Sequence, residues 1–220
     1  MSDRVRGRRV VLWRHGRTEW NVEHRVQGHT DIALDPVGRQ EARDSSARLA
    51  TLAPYRIVSS DLSRAADTAR ALADRTGLEV TLDPRLRELA FGVVEGLTWP
   101  EAWQRYPDEM RSWSGGDQSR IDGAETHRDG GARFAQAVRE YLHDLPLGET
   151  LVVVAHGGIV RTGTLSFLGV PYEAWSHFGG LANCHWSVLL EERYEQWSHW
   201  RLTEWNSGTL PEPILSDEEA

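Results

Sequence analysis

Two histidines and two arginines in this sequence follow short apolar runs, and these four residues are Arg14, His15, Arg64 and His156. A neutral imidazole nitrogen can attack the phosphorus atom of a phosphate ester, and guanidinium groups can hold the non-bridging oxygens by charge-assisted hydrogen bonds. A lone histidine after a strand is usually a solvent-facing residue, but two histidines that are each followed by glycine favour one shared site. The pattern therefore predicts phosphoryl transfer, with His15 as the nucleophile and His156 beside the phosphate.

Phosphoryl transfer from an ester also needs an acid that protonates the departing oxygen. Glu88, in the segment Arg85-Leu86-Arg87-Glu88, is the candidate. Its alternative role is that of an ordinary ion-pair partner of the neighbouring arginines. Glu125 is a second acidic candidate, but a carboxylate suits the N-terminus of a helix, which favours a structural role there. We assign the role of proton donor to Glu88 and keep Glu125 as the alternative.

Three apolar runs must position these residues, and they are Val10 to Trp13, Arg56 to Ser60 and Leu151 to Ala155. Each run ends abruptly in polar residues, which is typical of a buried strand in a parallel sheet. Helix signals lie between the runs, such as Asp35-Pro36 before one helix and Gly77 after another. Parallel sheets bind ligands beyond the carboxyl ends of their strands. We therefore expect an α/β fold, a three-layer α/β/α sandwich with a mostly parallel central sheet.

Further elements are indicated in the second half of the chain. Thr98 and Glu101 have the spacing of a capping box, which predicts a helix after Thr98. Apolar residues at helical spacing predict another helix from about Thr126 to Leu145. The runs HWSVLLEE and EQWSHWRL alternate as strands do and are separated by few residues. They predict a strand pair at one edge of the sheet.

These elements suggest one domain over residues 1–205, with a small helical cap insertion at about 97–124. Residues 206–220 are acidic and contain proline, which is typical of a disordered tail. The predicted edge strands offer a surface on which a second copy could pair. A homodimer is therefore one expectation, and a monomer with a covered edge is the alternative.

Composition excludes several classes of partner. The net charge is −8, although all 25 basic residues are arginine, and nucleic-acid binding relies on a basic surface. No apolar run approaches the roughly 20 residues of a membrane span, and no apolar secretion signal precedes Val10. We expect a cytoplasmic protein without nucleic-acid or membrane partners. Cys184 is the single cysteine, and the nine histidines show no metal-ligand spacing.

The motifs around these residues resemble those of the histidine phosphatase superfamily. The segment Leu12 to Asn21 contains R-H-G-x-T-x-x-N, the signature of that family, and further motifs follow in order as far as Val153 to Gly158. The resemblance implies that His15 is phosphorylated, that Glu88 is the proton donor and that no metal or organic cofactor takes part. It also implies a phosphate pocket and its border, formed by Arg14, Asn21, Gln27, Arg64, His156 and Gly157. For Asn21 and Gln27, stabilisation of their loop is the alternative role.

Some positions depart from the family pattern. Val94 stands where many relatives have an aromatic residue, which predicts a remodelled pocket wall. The mutase branch continues after the acid as E-R-H-Y-G, whereas this chain has Glu88-Leu89-Ala90-Phe91-Gly92. Without that arginine and histidine, hydrolysis of the phosphate monoester of a small metabolite is the expected reaction. Phosphoglycerate mutase activity and a non-catalytic phosphate-binding module are the two alternatives.

The substrate is indicated only by the segment from Thr98 to Gly123. That segment carries Trp99, Trp103, Tyr106, Trp113, Arg105, Arg111 and Arg120. Aromatic and arginine side chains that cover a phosphate site suit a sugar or a carboxylate attached to the phosphate. The alternative is that the tryptophans simply pack this segment onto the sheet. Three segments, among them VSSDLSRAADTA, are similar to the glucosyl-3-phosphoglycerate phosphatase branch of the family. The resemblance implies a phosphorylated sugar or sugar acid as the substrate.

Overall fold

A central six-stranded sheet organises the described part of the chain. A computed structural model describes residues 7–114, 118–194 and 197–209. The strands are β1 (Arg9–Arg14), β2 (Arg56–Ser59), β3 (Val80–Leu82), β4 (Thr150–Ala155), β5 (Trp186–Tyr194) and β6 (Trp197–Ser207). Their order across the sheet is β3-β2-β4-β1-β5-β6. The first four are parallel, and β5 and β6 run antiparallel at one edge, so the mostly parallel sheet is confirmed.

Helices cover both faces of this sheet. They are α1 (Glu19–Val22), α2 (Pro36–Ala50), α3 (Ser63–Thr76), α4 (Trp99–Arg105), α5 (Pro107–Ser114), α6 (His127–His143) and α7 (Gly157–Leu168). Short 3-10 turns occupy Pro84–Leu86, Gly92–Val94, Gln118–Arg120 and Tyr172–His177. One core cluster joins the sheet to α2 and α3, and another joins it to α6 and α7. The three-layer α/β/α arrangement is therefore confirmed.

The strand register sets the two histidines side by side. In the parallel pair of β1 and β4, Arg14 lies opposite Ala155, so His15 and His156 leave neighbouring strands at the same level. Every residue of β4 is buried, because helices cover both faces of a parallel sheet. The predicted convergence at the carboxyl ends of the strands follows directly from this register.

The local helix signals act as the sequence predicts. The Asp35 side chain accepts a hydrogen bond from the Gly38 backbone at 2.7 Å and caps α2, whose first residue is Pro36. Gly77 ends α3 with φ +72°, a left-handed conformation that favours glycine. The capping box of Thr98 is formed at the start of α4. Each signal is satisfied within a few residues of chain, so it does not depend on the tertiary fold.

The structure differs from the predictions at one boundary and at one residue. The last strand, β6, continues to Ser207, so the predicted disordered tail does not begin at 206; residues 210–220 lie outside the described residues. Val94 is fully buried in a small core of the cap with Met110 and Ile121, and it does not line the pocket. Its replacement of an aromatic residue therefore affects cap packing and not the pocket wall. No helix among the described residues is long and apolar enough to cross a membrane.

Candidate active site

A cavity lies beyond the carboxyl ends of β1, β2 and β4. The predicted residues that line it are Arg14, His15, Asn21, Gln27, Arg64, Glu88 and Gly157. Further lining residues are His24, Arg25, Val26, Gly28, Phe91, Trp99, Gly158, Gly180 and Leu181. Seven of the eight predicted site residues therefore share one cavity, although the chain separates them widely. The eighth, His156, lies directly behind it.

His15 is held as a neutral imidazole of fixed orientation. Its Nδ1–H donates to the carbonyl of Gly16 at 2.7 Å, so the lone pair of Nε2 faces away from that bond. Burial lowers the pKa of His15 well below its ordinary value, and the charges of Arg64 and Arg14 lower it further. The ring therefore stays unprotonated at neutral pH. A nucleophilic nitrogen needs that state.

The backbone of His15 is held by a segment whose role the sequence analysis did not assign. Its carbonyl accepts from Cys184 N at 3.1 Å and from Asn183 Nδ2 at 3.2 Å. Asn183 also donates to Asn21 Oδ1 at 3.2 Å. Cys184 takes a left-handed conformation with φ +56° to make this contact. The distance of Asn183 and Cys184 from His15 along the chain hides this contact from sequence reasoning.

Arg64 is a fully buried cation with a defined orientation. Its Nη1 donates to Thr30 O and its Nη2 to Gly28 O, both at 2.8 Å. Burial lowers its pKa to about 10, so the guanidinium stays charged at neutral pH. Five N–H donors are available on arginine. Donors that the protein does not use are therefore available to phosphoryl oxygens in the cavity.

The loop that holds Arg64 depends on Glu95. The Glu95 carboxylate accepts from His29 N at 3.0 Å and from Thr30 Oγ1 at 2.8 Å. Gly28 has φ +52°, and a Cβ there would lie 2.0 Å from Glu95 Oε1. Only glycine fits this approach. Glu95 thus positions the carbonyls that orient Arg64, a role that the sequence motif alone did not indicate.

His156 is placed as a partner of Arg64. Arg64 Nε donates to His156 Nδ1 at 3.2 Å, so His156 carries its proton on Nε2, which donates to Ser60 Oγ at 2.9 Å. Burial lowers the pKa of His156 well below its ordinary value, and Arg64 adds to the effect. Its ring lies 5.1 Å from that of His15, centroid to centroid. The sequence predicted a direct phosphate contact, whereas both ring nitrogens here bind protein groups.

Arg14 completes the cationic wall. Its Nη1 donates to Leu181 O at 2.5 Å, and the side chain is almost fully buried. Gly157, the first residue of α7, packs against it, since a Cβ at Gly157 would lie 3.4 Å from the guanidinium carbon. The N-terminus of α7 adds a positive end dipole to the same wall. The cavity is therefore electropositive although the whole chain is acidic.

Asn21 and Gln27 border the cavity in different ways. Asn21 Oδ1 accepts from Thr18 N at 3.1 Å and from Thr18 Oγ1 at 3.0 Å, so the amide nitrogen is the group with which Asn21 can donate. Gln27 is buried, and its Oε1 has no hydrogen-bond partner among the described residues. A buried amide oxygen without a partner is costly. The Oε1 of Gln27 is therefore suited to accept a hydrogen bond from a hydroxyl or ammonium group of a bound ligand.

Glu88 and Glu125 have separate environments. The Glu88 carboxylate lines the cavity and accepts from Leu89 N at 2.9 Å, Gly158 N at 3.0 Å and Ile159 N at 2.6 Å. Glu125 is absent from that lining and forms a bidentate pair with Arg133 at 2.8 and 2.7 Å. The geometry therefore favours Glu88 as the acid and gives Glu125 a structural role.

The rim of the cavity is aromatic on one side and cationic on the other. Trp99 lines the cavity and stacks on Trp113 with 5.0 Å between ring centroids. The cationic residue is Arg25, which pairs with Glu23 at 2.7 Å and with Glu101 at 3.1 Å. The arginines of the cap that the sequence suggested as a cover, at 105, 111 and 120, are exposed and do not line the cavity. The cover is thus aromatic, and its tryptophans also form the core of the cap.

Within the described ranges, no group of three or more histidine, cysteine, aspartate or glutamate side chains is placed to hold a metal ion.

Known proteins share this architecture. A family model described as histidine phosphatase superfamily (branch 1) matches residues 10–208. A glucosyl-3-phosphoglycerate phosphatase of Mycolicibacterium vanbaalenii is 36% identical over 221 residues, which cover 93% of this chain and 96% of the relative. A probable phosphoglycerate mutase of an Enterobacter species is 35% identical over 201 residues, with 89% of each chain covered.

Solved structures give the same result. A mycobacterial glucosyl-3-phosphoglycerate phosphatase in complex with VO3 has a TM-score of 0.84 at 36% identity, and the match covers 92% of this chain and 100% of that one. A phosphoserine phosphatase from Entamoeba histolytica in complex with 3-phosphoglyceric acid has a TM-score of 0.78 at 29% identity, with 91% and 97% covered. The match extends over both the sheet and the cap.

Proposed function

The chain belongs to branch 1 of the histidine phosphatase superfamily and is a phosphoric monoester hydrolase, and we propose that hydrolysis proceeds through a phosphohistidine on His15. One observation carries the proposal. The Nδ1–H of His15 is bound by the Gly16 carbonyl at 2.7 Å, while the guanidinium groups of Arg14 and Arg64 face the same cavity. A neutral nucleophile thus meets two cations that attract the phosphoryl group.

In the first step, His15 Nε2 attacks phosphorus and the bond from phosphorus to the ester oxygen breaks. Arg14 and Arg64 stabilise the charge on the non-bridging oxygens. The departing oxygen takes a proton from Glu88. In this step Glu88 begins as the carboxylic acid and ends as the carboxylate.

In the second step, water attacks the phosphohistidine and the bond from nitrogen to phosphorus breaks. Glu88, now ionised, takes a proton from the water. Inorganic phosphate leaves, and His15 returns to the neutral state with its proton on Nδ1. His156 takes part through Arg64, whose Nε it binds at 3.2 Å.

Hydrolysis is favoured over mutase activity by the segment after Glu88. The mutase branch carries arginine and histidine there, whereas this chain has Leu89 and Ala90. Leu89 is fully buried in the main core, so it adds no cation to the cavity. A mutase must retain a doubly phosphorylated intermediate, which needs further cations and a closed site.

We further propose a phosphorylated sugar acid as the substrate, with glucosyl-3-phosphoglycerate as the first candidate. Three of the relatives carry names that specify a phosphorylated carboxylic acid. Phe91 and Trp99 offer an aromatic wall beside the phosphate pocket, and such a wall suits a sugar ring. The proposal places the reaction in the cytoplasm and needs no metal.

The test is phosphate release from glucosyl-3-phosphoglycerate, 3-phosphoglycerate and sugar phosphates, measured with and without EDTA. We expect release that is unaffected by EDTA and that falls by about 10⁴-fold or more in His15→Ala. His143→Ala is the matched control, since His143 is an exposed histidine on α6. Quenching in alkaline denaturant, in which the bond from nitrogen to phosphorus survives, should trap phosphohistidine from labelled substrate in the wild type and the control only.

Two results would contradict the proposal. Retained hydrolysis in His15→Ala would exclude the phosphohistidine. Interconversion of 2- and 3-phosphoglycerate with a bisphosphoglycerate primer, without phosphate release, would identify a mutase.

A further inference from the structure

The side-chain amide of Asn183 joins two parts of the active site. Its Nδ2 donates to the carbonyl of His15 at 3.2 Å and to Oδ1 of Asn21 at 3.2 Å. Asn183 precedes β5, whereas His15 and Asn21 follow β1. The two N–H groups of one planar amide therefore link the nucleophile to a polar residue of the cavity wall.

The orientation of both amides follows from their partners. A carbonyl oxygen only accepts a hydrogen bond, so Asn183 must turn its nitrogen toward the carbonyl of His15. The backbone N–H of Thr18 only donates, at 3.1 Å, so Asn21 must turn its oxygen toward Thr18. The hydroxyl of Thr18 donates to that same oxygen at 3.0 Å. Exchanging oxygen and nitrogen in either amide would break these contacts.

This arrangement turns the nitrogen of Asn21 toward the substrate. Thr18 and Asn183 do not line the cavity, whereas Asn21 does. The carbonyl end of the Asn21 amide therefore points away from the cavity, and its NH2 group points toward it. A preorganised N–H donor at this place can bind a phosphoryl oxygen beside His15.

The backbone around Asn183 is held against the end of β1 by other groups. Leu181 O accepts a hydrogen bond from Arg14 Nη1, and Cys184 N donates to His15 O at 3.1 Å. These contacts hold the segment from both sides of Asn183. The side chain of Asn183 is therefore not needed to keep the segment in place, and its own contribution can be measured by substitution.

Resting on the proposed function, we infer that Asn183 is a positioning residue for phosphoryl transfer, which holds the Asn21 amide and the main chain of His15 at a fixed spacing. Asn183 touches neither the phosphate nor the leaving group. It acts by keeping the NH2 group of Asn21 in place relative to the attacking nitrogen of His15. A misplacement of about 1 Å at a reacting centre can lower the rate by roughly 100-fold.

The test is a double-mutant cycle between Asn183 and Asn21, measured as kcat of phosphate release. Asn183→Ala should lower kcat about 10- to 30-fold, the combined range of two hydrogen bonds. In the Asn21→Ala background, the same change should lower kcat by about 5-fold or less, because only the contact with His15 is then left to lose. An equal factor in both backgrounds would show a merely structural role and overturn the inference.

Two further variants separate the N–H donors from the volume of the side chain. Asn183→Asp has the same shape but no N–H group, so it should lose at least as much kcat as Asn183→Ala. Asn183→Ser is one bond too short to bridge both acceptors and should lower kcat by about 5-fold or more. These variants also serve if Asn183→Ala does not fold. Wild-type kcat in Asn183→Asp would contradict the inference.

Asn206→Gly is the matched control, because it removes another asparagine side chain that holds the same segment. Asn206 Oδ1 accepts from Ala182 N at 2.8 Å, and its φ of +53° is one that glycine adopts without strain. The control should lower the melting temperature and change kcat by less than about 3-fold in both backgrounds. A loss of kcat equal to that of Asn183→Ala would assign the effect to the whole segment and refute the role of Asn183.

Vanadate binding separates this inference from the proposed reaction. Calorimetric titration with vanadate measures the phosphoryl site without turnover. Asn183→Ala should weaken vanadate binding about 10-fold, and clearly less in the Asn21→Ala background. That result supports the inference even if the wild type releases no phosphate, in which case only the proposed reaction fails. Unchanged vanadate affinity in Asn183→Ala would overturn the inference and leave the reaction intact, and a wild type that binds no vanadate would overturn both.

Discussion

The inner and outer parts of the cavity are built on different principles. In the inner part, Arg14 and Arg64 are buried and donate to backbone carbonyls of Leu181, Gly28 and Thr30. In the outer part, Arg25 is partly exposed and pairs with surface carboxylates. Buried charges need such fixed partners, whereas exposed pairs contribute little.

The difference separates chemistry from recognition. The inner residues follow the ends of sheet strands or lie on helices packed on that sheet, so their geometry is fixed by the core. The outer wall depends on the small core of the cap, which joins Trp99 and Trp113 to Met110. Changes in the inner part are therefore expected to abolish turnover, and changes in the outer part to alter substrate preference.

The largest effect that tests this comparison is expected from Arg64→Gln. Loss of a preorganised charge at the phosphoryl group should lower kcat by about 10²- to 10³-fold. The matched control is Arg70→Gln on the same helix, because Arg70 is exposed and pairs with Asp67 at the surface. Steady-state phosphate release measures both variants. A loss of kcat of similar size in Arg70→Gln would show that helix α3 tolerates no change of charge. It would contradict a specific role of Arg64.

Glu88→Gln should give the next effect. Without an acid, hydrolysis of alkyl phosphates should slow by about 10²-fold, while p-nitrophenyl phosphate should be much less affected because its leaving group needs no proton. Glu125→Gln is the control, since it breaks the pair with Arg133 at 2.7 Å. It should lower the melting temperature and leave the leaving-group dependence unchanged. Equal slowing of both substrates in Glu88→Gln would contradict the role of the acid.

Trp99→Ala probes the outer wall. Removing the side chain that stacks on Trp113 should cost about 2 kcal/mol of unfolding free energy, because Trp99 is only partly buried. It should also raise KM roughly 3- to 10-fold for substrates with a sugar, with little change in kcat. Trp103→Ala on the same helix should stay within about 0.5 kcal/mol, since Trp103 is 41% exposed. A loss of kcat in Trp99→Ala as large as that in Arg64→Gln would contradict the proposed division between an inner part for chemistry and an outer part for recognition.

The smallest effect concerns stability at mildly acidic pH. The folded-state pKa values of His15 and His156 are lowered, so the unfolded chain binds more protons as pH falls below about 6.5. The stability that these two neutral histidines contribute is therefore fully present above that pH and is lost as the pH decreases below it. Between pH 7.5 and 5.5, the melting temperature should fall by roughly 5 to 11 °C. His15→Ala should flatten this dependence, and the exposed His143→Ala should not; an equal slope in all three proteins would contradict the buried neutral state.

The sequence determined the strands, the helix caps and the chemical type of the site. Apolar runs end in Arg14-His15 and Ala155-His156. Each run indicates a buried strand, because a parallel strand is buried along its length. Each also shows which residues face the ligand, because ligands bind at the carboxyl ends of such strands. The capping residues Asp35, Gly77 and Thr98 act within a few residues of chain. Local physics of this kind is readable from one segment at a time.

The tertiary structure decided which residues of the site are hydrogen-bonded to one another. Only the fold shows that His156 faces Arg64 and Ser60 and that Asn183 holds His15. These facts depend on segments that are distant along the chain and meet only when the sheet and its helices pack. A sequence motif records residue types, whereas the state of a buried hydrogen bond depends on every element around it.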